Sequence, residues 1–260
     1  MPELLEVERY RRLARQGLHR PIVAVSAPDA WFLKGGLTPT LLEQVLVGRR
    51  LVADRRVGKL LLLEVDGGPT LGLRFGMTGV LELDGQRGVE QLRYAATRRE
   101  PAWERLVVRF VDGGALRVRD PRRLGGVELD PDVSRLGPDA ARLRPRDLRA
   151  ALEGTSVPLK ARLLDQRRLA GLGNLLADEI LWRAGLDPAR PAGGLTATER
   201  RRLLGHLRRT LAELGERGGS HTGDLQVARV RGGTCPRDGT PLQRRTVGGR
   251  TTYSCPYHQR

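Results

Sequence analysis

Lysine is nearly missing from this 260-residue chain. It occurs only at Lys34, Lys59 and Lys160, although Lys and Arg together number 46. We read the skew as codon bias, so part of the arginine richness carries no function, and the three retained lysines stand out. Cysteine is scarce as well, with Cys235 and Cys255 alone. Two cysteines in a chain of this length do not make a disulfide scaffold, and they read better as metal ligands than as a disulfide. No apolar run approaches the roughly 20 residues of a membrane-spanning helix. The N-terminus is acidic and has no apolar stretch of the kind a secretory signal needs. These absences lead us to expect a soluble cytoplasmic protein with no membrane partner. Acidic residues are also outnumbered, 30 against 46, for a net charge of +16. That excess does not specify a fold, but it points to a polyanionic partner, most simply nucleic acid. The length suffices for two ordinary domains.

The first eight residues, Met1-Pro2-Glu3-Leu4-Leu5-Glu6-Val7-Glu8, carry the strongest chemical signal. Initiator Met1 is commonly trimmed before a small residue such as Pro2. Trimming leaves a secondary amine, and an α-amino group titrates near roughly 7.7–8.0. Such an amine is partly neutral and nucleophilic at working pH. It can attack a sugar carbon and form a Schiff base while a nearby carboxylate moves protons. Taken alone the segment also reads as an ordinary helix start, with Pro in the first turn and Glu near the positive end of the dipole.

Periodicity predicts an amphipathic helix over 3–17 and a second from Thr38-Pro39 through Leu46. From Arg49 to about Val127 the pattern changes to short strands: 51–52, 60–65, 71–75, 80–83, 106–111 and 115–118. Asp-Gly turns separate several of them. Such spacing indicates an antiparallel sandwich or barrel. Residues 131–145 read as a linker, followed by helices over 145–153, 157–165, 174–184 and 196–217 and a Gly-, Arg- and Thr-rich tail. The expected class is therefore α+β: a sandwich domain (1–130), a helical domain (146–222) and a hairpin (223–260).

In the tail, Cys235-x2-Asp238 and Cys255-x2-His258 form two knuckles across a long loop, a zinc-ribbon spacing in which all four residues are legitimate ligands. Gly171-Leu172-Gly173-Asn174 makes a tight turn directly before a helix, where exposed N–H groups can hold phosphate, and Lys160 lies shortly upstream. Two turns leaving strands, 74–79 and 120–125, place apolar Met77 and Leu124 beside Arg74 and Arg122. Wedges of this kind can fill the gap left by a flipped base. Both Met77 and Leu124 also suit an ordinary core.

Taken together, these residues resemble the formamidopyrimidine-DNA glycosylase and endonuclease VIII family of repair enzymes over nearly the whole chain. The N-terminal octapeptide, the run from Leu164-Asp165-Gln166 to Asp178-Glu179, and the tail are similar to the family's N-terminal motif, its helix–two-turn–helix and its zinc finger. The resemblance implies a monomeric bifunctional DNA glycosylase and abasic-site lyase. It would act on double-stranded DNA carrying oxidised bases or abasic sites and hold one structural Zn2+. It implies Pro2 as nucleophile, Glu3 as general acid, Glu6 as support and Lys59 as a phosphate grip beside the lesion. Asn174, Arg250, Arg74 and, less directly, Lys160 would face phosphate, and Met77, Arg122 and Leu124 would fill the void. Cys235, Asp238, Cys255 and His258 would bind the metal.

The chain departs from the family pattern at several places. Leu5 stands where proline is usual, Arg74 where many members have His, Leu124 for a phenylalanine wedge, and Asp238 and His258 for cysteines. The segment from Gly218 to Cys235 is short. Members that strongly prefer 8-oxoguanine carry a longer loop there, so 8-oxoguanine specificity does not follow from the resemblance, and formamidopyrimidines and oxidised pyrimidines stay open as lesions. One rival keeps the fold as a non-catalytic binder of damaged or abasic DNA. Another is a structural nucleic-acid protein, which would explain the charge but not the N-terminal motif.

Overall fold

The structure, a computed structural model, describes residues 2–89 and 100–260. Met1, and with it the question of trimming, lies outside the described residues. The chain divides into two compact units, one of Pro2 and Glu6–Val133, the other of Glu3–Leu5 and Ser134–Arg260.

The first unit contains helices α1 (Leu4–Arg15, shared with the second unit over its first two residues) and α2 (Pro39–Leu46) and two antiparallel sheets. One sheet has four strands in the order β2 (Leu51–Val57), β3 (Leu60–Val65), β4 (Thr70–Arg74) and β9 (Gly126–Leu129). The other has five, in the order β1 (Ile22–Ser26), β7 (Glu104–Phe110), β8 (Ala115–Arg119), β5 (Val80–Leu83) and β6 (Gln86–Arg87). Leu61, Leu63, Leu71 and Leu73 from the first sheet share one core with Leu81, Leu106, Val108, Leu116 and Val118 from the second. This is the expected sandwich: period-2 alternation buries one face of each sheet against the other. Val7, Tyr10 and Leu13 of α1 join the same core. The Tyr10 ring lies 4.5 Å from that of Phe75, and its hydroxyl donates to the carbonyl of Gly79 at 3.0 Å. α2 starts where Thr38 accepts a hydrogen bond from the Leu41 amide, with Pro39 in the first turn.

The second unit is built from α3 (Pro145–Leu152), α4 (Leu159–Leu164), α5 (Asn174–Ala184), α6 (Ala197–Arg217) and the hairpin of β10 (Gln243–Val247) and β11 (Arg250–Ser254). α6 opens on a reciprocal capping box between Thr196 and Glu199. α5 ends at Gly185 in the left-handed conformation, φ 63°. Leu172, Leu176, Ile180, Leu203, Leu207 and Leu214 form its helical core, joined by Leu4 and Leu5. The hairpin end packs separately around Trp182, Leu225, Cys235 and Cys255. Among the described residues no helix is long and apolar enough to cross a membrane.

Candidate active site and nucleic-acid interface

Helix α5 organises the second unit's polar residues. The two-turn connection before it is stitched by Gln166, which donates to the carbonyls of Leu164 (2.8 Å) and Leu172 (3.0 Å) and accepts from the Gly171 amide at 2.9 Å. Gly171 takes φ 113°, which suits glycine. The connection ends at the first turn of α5, where the amides of Gly173 (2.7 Å), Leu175 (2.8 Å) and Leu176 (3.2 Å) all donate to the Glu3 carboxylate. Glu3 is fully buried. Three N–H donors at a helix start are a ready-made anion site, and here a side chain of the protein fills it. Glycine at 173 is required by this contact: a Cβ there would sit 2.3 Å from Glu3 Cδ. The Leu4 amide adds a bond to the Gly171 carbonyl at 3.1 Å. The N-terminal segment is thus anchored at the residue after Pro2, and Pro2 is itself buried.

Asn174 and Arg250 are brought to one place. The Asn174 Nδ2 donates to the Thr251 carbonyl at 3.1 Å, while its Oδ1 has no partner. Arg250, one residue before Thr251, is exposed and donates to the Gly249 carbonyl at 3.3 Å. Lys160 differs from expectation. Its side chain is fully buried, and its ammonium lies 2.7 Å from Asp178 Oδ1, 2.7 Å from Thr252 Oγ1 and 3.1 Å from the Thr251 carbonyl. Three donors meet three acceptors inside the unit, so a phosphate-facing Lys160 is corrected to an internal tie between α4, α5 and β11. Burial holds its ammonium below the usual lysine value despite the attraction of Asp178. Arg229 completes the cluster, with two nitrogens at 3.0 and 2.7 Å from Asp178 Oδ2 and its guanidinium over the Tyr253 ring.

The short segment after α6 is held from below. Glu179 accepts from the amides of Asp224 and Leu225, both at 3.0 Å, and the Asp224 side chain is gripped by Arg183 and Arg217. Val227 and Val230 within it are exposed.

In the first unit, Lys59 sits in the β2–β3 turn, where Val57 pairs with Leu60. Arg56 donates to the Gly58 carbonyl at 2.6 Å and to Glu8 at 3.3 Å, so α1 braces that turn. Desolvation opposes the Glu8 charge, but Arg11 and then Arg56 outweigh it and hold this carboxyl at about 2. Glu6 is buried on the same helix, near Tyr10. The turns carrying Met77, Arg122 and Leu124 meet at buried Asp120. Its carboxylate accepts from Thr78 Oγ1 (2.6 Å) and from the amides of Arg122 (3.2 Å) and Gly125 (2.9 Å). Arg123 adopts φ 56° and is held there by a two-point bridge to Asp29, 2.7 Å at each contact. The left-handed residue projects Leu124 into solvent at 51 % exposure, while Met77 is half-buried and Arg122 exposed. Arg74 is also exposed, but its Nε is 2.8 Å from Glu128 on β9. Asp120, Gln166, Asp178 and Arg229 were assigned no role of their own from the sequence, although Gln166 and Asp178 lie in the run that resembles the helix–two-turn–helix. Asp120 also had a cue, as the first residue of an Asp-Pro turn.

The metal-ligand residues do converge. One donor atom each from Cys235, Asp238, Cys255 and His258 lies within 4.8 Å of the others, and both cysteines are free. His258 turns Nδ1 toward the cluster and places Nε2 3.3 Å from the Trp182 carbonyl, the outer contact that orients a ligating imidazole. The Trp182 indole donates to Cys235 Sγ at 3.3 Å, as suits a thiolate. The donor set and its surroundings fit a metal ion.

Two family descriptions match this chain: the formamidopyrimidine-DNA glycosylase N-terminal domain over residues 1–127 and the formamidopyrimidine-DNA glycosylase H2TH domain over 136–225. The chain belongs to the formamidopyrimidine-DNA glycosylase family. It is 36 % identical to the formamidopyrimidine-DNA glycosylase of Paracoccus denitrificans over the full length of both chains. It is 36 % identical to that of Thermus thermophilus, covering 98 % of this chain and 97 % of the other. Among solved structures it superposes on the Lactococcus lactis family member bound non-covalently to DNA containing an abasic site, with a TM-score of 0.84, 26 % identity and full coverage of both chains. It also superposes on MutM in complex with DNA containing carbocyclic 8-oxoguanine, with a TM-score of 0.83, 27 % identity and full coverage of both. The glycosylase family is thus matched across both units, and the buried Glu3 carboxylate at α5 lies where the two matched ranges of this chain exchange bonds.

Proposed function

We propose that this protein is a base-excision-repair enzyme that removes oxidised or ring-opened bases from double-stranded DNA and then cuts the strand. The observation that carries the reading is the Glu3 carboxylate immobilised by three backbone amides, directly after Pro2. It gives Pro2 a defined neighbour and position, which a nucleophile needs.

With Met1 removed, the neutral Pro2 amine attacks C1′ of the flipped nucleotide. The base leaves with the electron pair of its glycosidic bond. Glu3 takes the proton shed by the Pro2 nitrogen and delivers it to the ring oxygen as the C1′–O4′ bond breaks and the sugar opens, with Glu6 supporting that geometry. The resulting iminium joins Pro2 to C1′. Loss of a C2′ proton expels the 3′ phosphate, a second elimination expels the 5′ phosphate, and hydrolysis frees the amine. Lys59, Arg74, Asn174 and Arg250 hold phosphates, and Met77, Arg122 and Leu124 occupy the space left by the base. One zinc ion on Cys235, Asp238, Cys255 and His258 would cross-link the hairpin and supply no reacting group. The hairpin, residues 223–260, acts as a module of its own beside the helices of 146–222, with 131–145 as the link from the sandwich. The short, pinned segment 218–235 favours formamidopyrimidines and oxidised pyrimidines over 8-oxoguanine. The enzyme works as a monomer on nucleoid DNA.

Borohydride trapping on a duplex with one abasic site, with mass spectrometry of the N-terminus, tests the reading. A covalent adduct at Pro2 is expected. Tight binding without an adduct, on protein lacking Met1, would replace the enzyme with a non-catalytic binder of damaged DNA.

A further inference from the structure

A cavity of about 500 Å³ lies in the second unit between α3 and α6, formed by residues that have no part in the proposed chemistry. Its floor is apolar, with Leu148, Leu204 and Gly205. Its rim is cationic: Arg146, Arg149, Arg200, Arg201 and Arg208 line it, and no carboxylate does. The arrangement follows from helical spacing. Arg201, Gly205 and Arg208 fall on one face of α6, while Arg146 and Arg149 are three apart on α3. The rim charges are largely unspent. Arg201 donates to the Thr198 hydroxyl at 3.2 Å and Arg208 to the Leu143 carbonyl at 2.8 Å, neither of which is a charged partner. Arg146 lies 3.9 Å from Asp147, a carboxylate already taken by Arg144 at 2.8 Å. Arg149 is the exception, paired with Glu153 at 2.8 Å on the exposed surface.

Gly205 is an independent clue. It sits in the interior of a 21-residue helix, where glycine is less favourable than alanine. Packing does not demand it: a Cβ there would meet only the tips of Arg209, at 3.8 and 3.9 Å. What the missing side chain does is keep the cavity floor open.

We propose that this groove docks an acidic peptide segment of a partner protein, with a large apolar side chain seated on Leu148, Leu204 and Gly205 and carboxylates meeting the arginine rim. Charge complementarity selects an acidic partner. The apolar floor selects a peptide over duplex DNA, whose outer surface offers phosphates and no apolar chain to enter the cavity. The volume suits one or two such side chains.

The test is fluorescence anisotropy with three probes: a labelled aspartate-rich peptide with leucine and phenylalanine anchors, the same peptide with alanine anchors, and a short undamaged duplex. The wild-type chain should bind the anchored peptide, more weakly as salt rises, and the alanine-anchored peptide about tenfold more weakly. Gly205→Met, which fills the open floor, should weaken anchored-peptide binding about tenfold, equivalent to about 1.4 kcal/mol. Arg201→Glu should do the same. Both variants should keep the wild-type melting temperature or exceed it and should cut abasic DNA normally, which separates this result from misfolding and from failure of the repair reading. Equal binding of the two peptides, or anchored-peptide binding unchanged by Gly205→Met, overturns the proposal. So does loss of duplex affinity in Gly205→Met, which would make the groove a DNA contact.

Discussion

Replacing Gly173 by alanine should damage the active site without altering any reacting group. The backbone there is extended, φ −124°, which alanine adopts freely, so no dihedral strain enters. The damage is steric: the new Cβ would stand 2.3 Å from Glu3 Cδ and 2.5 Å from Oε1. Ordinary contact requires the carboxylate to retreat by roughly 1 Å. Bonds now at 2.7, 2.8 and 3.2 Å would then mostly exceed hydrogen-bonding range. A bond to a charged group contributes about 1.5–3 kcal/mol net, so losing two of the three costs about 3 kcal/mol after partial rehydration. Urea unfolding of the purified chain should show that loss. Single-turnover borohydride trapping should slow by about a hundredfold or more, the usual worth of a positioned proton donor. The causal route is checked by a double-mutant cycle with Glu3→Ala. If the alanine acts by displacing Glu3, Gly173→Ala becomes nearly neutral in that background, with a coupling energy of about 3 kcal/mol. Wild-type stability and trapping in Gly173→Ala, or an equal cost with and without Glu3, would refute the argument.

Lys160→Met should cost about 3 kcal/mol, because it removes one of two cations from a buried carboxylate while Arg229 remains to share the charge of Asp178. Its salt dependence of DNA binding should match wild type, and a log–log slope lowered by about 1 would instead return Lys160 to a phosphate. Purified protein should carry one zinc per chain, and Cys255→Ser or chelation should lower the melting temperature, change Trp182 fluorescence and weaken DNA binding through Arg250. Metal-free protein with full amide protection in β10 and β11 would contradict this. The Glu8 carboxyl is depressed to about 2, so its contribution is complete above the ordinary carboxylate pKa near 4.5 and is lost as pH falls toward 2. Glu8→Gln should therefore flatten the acid limb of stability in that window, by about 1 kcal/mol because solvent still reaches part of the group. An unchanged acid limb would show that the bridges to Arg11 and Arg56 are worth nothing.

Elements with complete local signals were legible from sequence. Pro39–Leu46 has its Thr-Pro start, Leu60–Val65 and Val80–Leu83 have apolar runs bounded by turns, and Asn174–Ala184 lies between glycines. Two longer strands were not, nor was the two-residue Gln86–Arg87. Ile22–Ser26 is an edge strand with a mixed burial pattern, so its alternation is weak. Gly126–Leu129 begins on a glycine pair that reads locally as a turn, and it becomes a strand by pairing with Thr70–Arg74, more than fifty residues upstream in sequence. The same limit applies to the site. The residues proposed to react announce themselves by type and by local motif. Burial and distant partners do not, and this is why Lys160 reads as a surface cation in sequence although Asp178, Thr251 and Thr252 enclose it in the fold. Arg229 gave no sign at all, being one arginine among many in a chain biased toward arginine.

The position of Lys160 also explains how two jobs in the second unit can share one reference frame. Asn174 bonds to the Thr251 carbonyl, and Lys160 bonds to the same carbonyl and to the next side chain. Arg250 is the residue before. Its backbone is therefore set by the start of α5 and by a cation buried behind β11, not by the hairpin turn alone. The first turn of α5 that carries Asn174 also supplies the amides that hold Glu3. The proposed phosphate grip and the proposed proton donor are thus registered to the same helix terminus, through direct bonds within one compact unit. A buried ion pair is a poor source of net stability. It is a good means of fixing register when both partners are also tied to backbone, and that is how Lys160 and Asp178 are used here. Methionine at 160 could fill the volume, but it would leave Asp178 to Arg229 alone and could not hold the Thr251 carbonyl. Weaker DNA binding at an unchanged salt slope, from a hairpin held less firmly at Thr251 rather than from a lost phosphate contact, is the functional consequence this arrangement dictates.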